Sequence, residues 1–180
     1  MKRHLVNPII KDTVTFIQTA AESCGKVSEA DFTLMPGGGN PFHYHTTYTE
    51  TFTALEGELG LYAGKKQRIV LKPGETYTVQ PKQLHRFFNP GNTENKFKVT
   101  LNPGHEGMEN ALRILYGMAA DGLTNKNSIP KSIKHLAIIG YTSDMRIPGL
   151  PELLFPLLKW IAKRAIAKGE YQKLIDKYCI

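Results

Sequence analysis

Cysteine is scarce in this 180-residue chain, with only Cys24 and Cys179, far apart and matching no metal-binding or redox spacing. No disulfide scaffold is indicated, and reduced thiols in a cytoplasmic protein are the expectation. Long hydrophobic runs are missing as well. No stretch approaches the roughly 18 apolar residues of a membrane-spanning helix, so membrane contact is not expected. Near the start, Pro8, Lys11 and Asp12 interrupt the apolar residues before a signal-peptide core can form. Charge of one sign is nowhere concentrated. The net +7 divides as 12 basic against 9 acidic residues up to position 105, and 11 against 7 beyond it. With no basic stripe and no helix-turn-helix, nucleic acid is not an expected partner, whereas a small anionic molecule fits a few scattered cations.

What the chain does have is 41% apolar residues, enough for one good core, and histidine in a pattern. The first group reads Gly37-x5-His43-x-His45-x4-Glu50-x6-Gly57, and the second Gly74-x10-His85-x3-Asn89. On a β-strand residues i and i+2 share a face, so His43 and His45 look inward together. Thr46, Thr47 and Tyr48 turn the chain into the next strand, where Glu50, with Phe52 and Ala54 behind it, faces the same interior. His85, Phe87 and Asn89 share a face of a later strand, leaving His85 as its one strong ligand. Three imidazoles and a carboxylate suit a divalent transition metal, with positions left for water or substrate. Mn, Fe, Ni, Cu and Zn all remain open. His4, His105 and His135 lie outside the pattern and are assigned to surface or packing.

Short strand-like runs recur at 13–18, 30–35, 49–55, 58–62, 68–71, 76–79, 84–88 and 96–101, separated by Gly- and Pro-rich breaks. This rhythm predicts an all-β first part, residues 1–105, and composition then shifts. Apolar spacing of three and four predicts helices over 106–121, 132–139, 152–168 and 170–178, with Pro156 starting or kinking the third. Residues 106–180 are thus expected as a helical extension. Three placements stay open for Leu153, Leu154, Leu157, Leu158 and Ile161. They cover the outer sheet or a second subunit, form a lid on the pocket, or lie in a basic interfacial helix with Trp160 and Lys159, Lys163, Arg164 and Lys168.

Over residues 32–101 the chain resembles the cupin superfamily. The first cupin motif is met in full by Gly37, His43, His45, Glu50 and Gly57. The second is met at Gly74, His85 and Asn89, but Gln80 stands at its proline position and Lys82 at its glycine position, with Pro81 one residue late. The resemblance implies a mainly β fold, a cupin-type double-stranded β-helix or jelly-roll β-barrel with the metal inside one open end, followed here by the helical extension. It implies a metal-dependent enzyme on a small organic molecule, a dioxygenase first, with isomerases and decarboxylases behind, and a homodimer. Glu50 is expected as a ligand that can also serve as general base. Phe52, Tyr62 and Phe87 are candidates to line the pocket, or else barrel core. The competing reading is a non-catalytic small-molecule-binding or sensor protein of the same fold.

Overall fold

The computed structural model describes residues 1–180 and alternates two sheets before ending in helices. The larger sheet holds β1 (His4–Asn7), β2 (Asp12–Gln18), β3 (Ser28–Leu34), β4 (Thr49–Glu56), β7 (Thr76–Val79) and β9 (Asn95–Asn102), in the order β1-β2-β3-β9-β4-β7. The smaller one holds β5 (Leu59–Ala63), β6 (Gln67–Leu71) and β8 (His85–Phe88), in the order β6-β5-β8. Every ladder is antiparallel.

Strict alternation builds the core. On β9, Asn95, Phe97, Val99 and Leu101 are buried while Lys96, Lys98 and Thr100 are half-exposed. The register Phe32↔Phe97 and Ala30↔Val99 puts the buried sets of β3 and β9 on one face. Phe32 stacks on Phe97 at 5.2 Å, and Phe52 and Phe87 complete an aromatic cluster between the sheets. Each such side chain contributes roughly 2 kcal/mol by leaving water.

The expectation of a mainly β jelly-roll barrel is corrected here. Strands and helices take near-equal shares of the chain, so the domain is mixed α/β, and the sheets do not close. β1 and β7 edge one sheet and β6 and β8 the other, with no ladder joining them. The sequence encodes these gaps. Residues 36–42, beside β8, carry Pro36, three glycines and Pro41, and proline lacks the N–H a ladder needs. Only the isolated bridges Gly39↔Phe88 and His43↔His85 remain there. Pro73 and Gly74 interrupt the passage from β6 to β7 in the same way.

α1 (Glu106–Ala120) opens with His105 as N-cap, its ring accepting from Met108 N–H, and with Glu106 and Glu109 against the positive end of the helix dipole. Met108 and Tyr116 join the aromatic core, while Ala111, Ile114 and Met118 face a second core shared with the later helices. α2 (Ile133–Thr142) is capped by Ser132 and runs past the expected end at 139. The expected helix 152–168 is broken at Leu154 into α3 (Leu150–Leu153) and α4 (Phe155–Ala167), with Pro156 in the first turn of α4. α5 (Glu170–Tyr178) follows Gly169, which is left-handed. Within the chain α4 packs on α2 and α5 and buries Ala162 and Ala165. The large apolar residues of α3 and α4 cover no sheet: Leu153 is 78%, Leu157 52% and Trp160 57% exposed. No helix is long and apolar enough to cross a membrane.

Candidate metal centre

His43, His45, Glu50 and His85 come together where the two sheets face each other. Glu50 stands on β4, paired with Val79 and Leu101 of the larger sheet, and His85 opens β8 of the smaller one. His43 and His45 lie on irregular chain rather than a strand, yet the period-two alternation persists, with both buried and Tyr44 between them half-exposed. Reciprocal backbone hydrogen bonds hold His43 against His85, at 3.0 and 2.9 Å. Lys82 N–H donates to the His45 carbonyl at 2.5 Å and ties the two motifs together. Gly57, at φ +69°, has only 3.1 Å between an added Cβ and Asn95, which explains glycine at the close of the first motif. Asn89 closes the second by bonding the carbonyls of Leu34 and Thr93 and accepting from Gly91 N–H.

The ligand-type atoms of the four residues lie within 4.8 Å of one another, and all four side chains are buried. Glu50 Oε2 is 2.9 Å from His85 Nε2 and 3.4 Å from His45 Nε2. The set fits a divalent transition metal on an observation of its own: His45 Nε2 is fully buried with no hydrogen-bond partner. Such an orphan costs roughly 1–3 kcal/mol unless something binds it. His43 and His85 each aim Nδ1 at a carbonyl two residues back, of Pro41 and Gln83, at 2.9 Å. A carbonyl only accepts, so each Nδ1 carries hydrogen and Nε2 is the atom available to an ion.

Burial pushes the His43 imidazole down to about 3, aided by its histidine neighbours, so it is neutral at pH 7. Burial alone would raise the Glu50 carboxyl, but the imidazoles of His45 and His85 outweigh it and hold the group well below the usual range. His85 moves the opposite way: burial lowers it, yet Glu50 prevails and its affinity for a proton is raised. Without an ion, Glu50 is thus ionised and accepts from His85 Nε2–H at 2.9 Å, and a bound cation would take the place of that proton.

Among the other sequence candidates, Phe52 and Phe87 sit in the aromatic core, Phe52 with its ring 6.2 Å from His85. Tyr62 is placed elsewhere. It pairs with Arg86 on the opposite side of the smaller sheet and stacks with Phe42, Phe88 and the Arg86 guanidinium. A cavity of about 30 Å³ instead lies between the larger sheet and α1, lined by Glu50 with Phe16, Phe32, Leu101, Met108 and Leu112.

Tyr48 and Asp144 lie beside the site without a signal in the sequence pattern. The spacing predicts Tyr48 only as part of a turn, but its hydroxyl is 2.5 Å from His45 Nδ1. Asp144 accepts from Thr46 N–H and from the Thr46 and Thr47 hydroxyls, 97 and 98 residues away, and nothing in local spacing could have announced it.

Residues 30–106 match the family model of the cupin domain. Germin-like protein 3-7 of Oryza sativa subsp. japonica is 31% identical over 88 residues, 47% of this chain and 38% of that protein. Oxalate oxidase 1 of Hordeum vulgare is 34% identical over 89 residues, 46% of this chain and 44% of that protein. The chain spans less than half the length of these curated relatives. A solved structure of a predicted oxalate decarboxylase from Thermotoga maritima superposes with TM-score 0.49 at 20% identity, covering 52% of this chain and 81% of that one. The motif glycines, the converging histidines and Glu50 all fall inside the matched segment. Residues 30–106 are thus a cupin domain, which carries a buried His/Glu cluster suited to a divalent transition metal, and a helical extension follows the cupin core.

Proposed function

We propose that the chain is a metal-dependent enzyme that acts on a small organic acid of the oxalate type, at a divalent transition ion held by His43, His45, Glu50 and His85. The observation that carries this reading is the buried His/His/Glu/His cluster with its orphaned His45 Nε2. The names of the oxalate oxidase relatives support the substrate class. A bound ion supplies Lewis-acid polarisation of a substrate oxygen.

The chain's own residues set the rest. Neutral His43 and the Nδ1-anchored His85 fix two imidazole directions, so the site needs little reorganisation on loading. Glu50 stays ionised, and besides holding the ion its carboxylate would serve as general base toward a substrate proton. The cavity beside Glu50 is small and mostly apolar, with α1 as one wall. Its volume favours a substrate of a few heavy atoms.

The test is a panel of oxalate, keto acids, diketones and phenols given to metal-loaded protein, with oxygen uptake, peroxide and carbon dioxide followed together. Carbon dioxide with peroxide marks an oxidase, and carbon dioxide without oxygen uptake marks a decarboxylase. Oxygen incorporated into diketone or phenol products marks the dioxygenase. No turnover of any member by fully loaded protein contradicts the enzyme reading and favours a binding protein.

A further inference from the structure

His45 differs from the other two histidines in how its outer nitrogen is held. His43 and His85 use carbonyls of their own loops, at i−2. His45 Nδ1 meets the Tyr48 hydroxyl at 2.5 Å, and that hydroxyl lies 3.1 Å from the Ser143 carbonyl. Ser143 belongs to the extension, as the C-cap of α2. Its carbonyl is one of those a helix end leaves without an internal partner.

The direction of the chain of bonds follows from valence. The Ser143 carbonyl can only accept, so the single Tyr48 proton goes to it. The phenol oxygen then accepts from His45 Nδ1–H, which leaves the Nε2 lone pair facing the other ligands. The alternative tautomer would need Nε2–H to donate to Glu50, but at 3.4 Å Nε2 makes no hydrogen bond.

A second set of contacts holds the two ends of this chain in place. Asp144 accepts from Thr46 N–H at 2.7 Å and from the hydroxyls of Thr46 and Thr47 at 2.9 and 2.8 Å. Tyr44 and Arg146 exchange backbone hydrogen bonds at 3.0 and 2.9 Å. The strip at 143–146 thus runs beside the histidine loop and is fastened to it on both sides of His45. Tyr48 and Ser143 are both buried, so water does not substitute for either.

We propose that the helical extension completes the metal centre through a Ser143–Tyr48–His45 relay, which fixes His45 in the Nδ1–H form and turns its Nε2 lone pair toward the metal. Tyr48 is a positioning residue, since it acts through His45. The relay rests on the metal reading of the site, and its test separates the two.

The experiment uses the full chain, metal-free and with ¹⁵N-labelled histidine, in the wild type and in Tyr48→Phe. Nitrogen shifts read the tautomer of His45, and cobalt titration of the same samples reads affinity. The wild type should show Nδ1–H at His45. Tyr48→Phe should give mixed tautomers at His45 alone, with His43 and His85 unchanged, and bind cobalt on the order of 10- to 100-fold more weakly. A structural role for Tyr48 would not single out one ring. Nε2–H in the wild type overturns the relay without any variant, and so does an unchanged tautomer in folded Tyr48→Phe, whatever the protein does with cobalt. If the tautomers behave as stated but the wild type takes up no cobalt, the relay stands and the metal reading falls.

Discussion

Lys82 holds a backbone conformation that its side chain disfavours. It stands where the second cupin motif has glycine, and the structure keeps the glycine-type geometry, φ +67°. Lysine here adds a conformational cost that glycine at the same φ would not carry. Lys82→Gly should raise stability by about 0.5–1 kcal/mol, the left-handed penalty less glycine's extra chain entropy, with metal binding unchanged. Urea denaturation checks this, and a loss of stability would contradict it. Asp12 shows the opposite kind of cost. Burial pushes its carboxyl from 3.8 to about 6, against the pull of its hydrogen bonds with Tyr116 and the backbone. Because the folded state holds this proton more tightly, its contribution is full below pH 4 and is lost as pH rises through 6. Relative to Asp12→Asn, the wild type should lose about 3 kcal/mol across that window and stay level above it. Parallel denaturation curves from pH 4 to 7.5 would show it, and a difference independent of pH would refute it.

At the scale of elements, α1 is the joint between sheet and extension. Glu109 accepts from Ala20 N–H and the Ser28 hydroxyl, both at 2.6 Å, while Arg113 lies over the Phe16 ring and donates to the Lys2 carbonyl. Removing one buried partner leaves the others uncompensated, so Glu109→Ala should cost roughly 3–5 kcal/mol, read as a lowered denaturation midpoint. A change under about 1 kcal/mol would mean that the joint carries little. Strands and helices of this kind were legible because alternation and three-to-four spacing are local signals. β9 and α5 are examples, and α1 was readable from apolar residues three and four apart over 106–121. The break at Leu154 was not. Leu153, Leu154, Leu157 and Leu158 keep helical spacing across it, and what α4 buries, Ala162 and Ala165, depends on α2 and α5, which a window of sequence does not contain.

For the whole molecule, the composition boundary near residue 105 need not be a folding boundary. Lys2 N–H bonds the Cys179 carbonyl, and Asp144 and Arg146 clasp the histidine loop. We propose that residues 1–105 and 106–180 melt together. Calorimetry should show one transition with equal calorimetric and van't Hoff enthalpies, and two resolved transitions would contradict it. The four site residues were legible because their spacing is a property of consecutive chain. The open sheets were less so, since closure depends on hydrogen bonds between distant edges. Tyr48's role was hidden for the same reason: its meaning comes from Ser143, 95 residues away.

The central claim is that His43, His45, Glu50 and His85 hold one metal ion. Elemental analysis of reconstituted wild type beside His45→Ala and Glu50→Ala tests it most directly. Near-stoichiometric metal in the wild type, and its loss from both folded variants, is the predicted result. Metal retained by both variants, or absent from folded wild type after reconstitution with each candidate ion, would contradict the account.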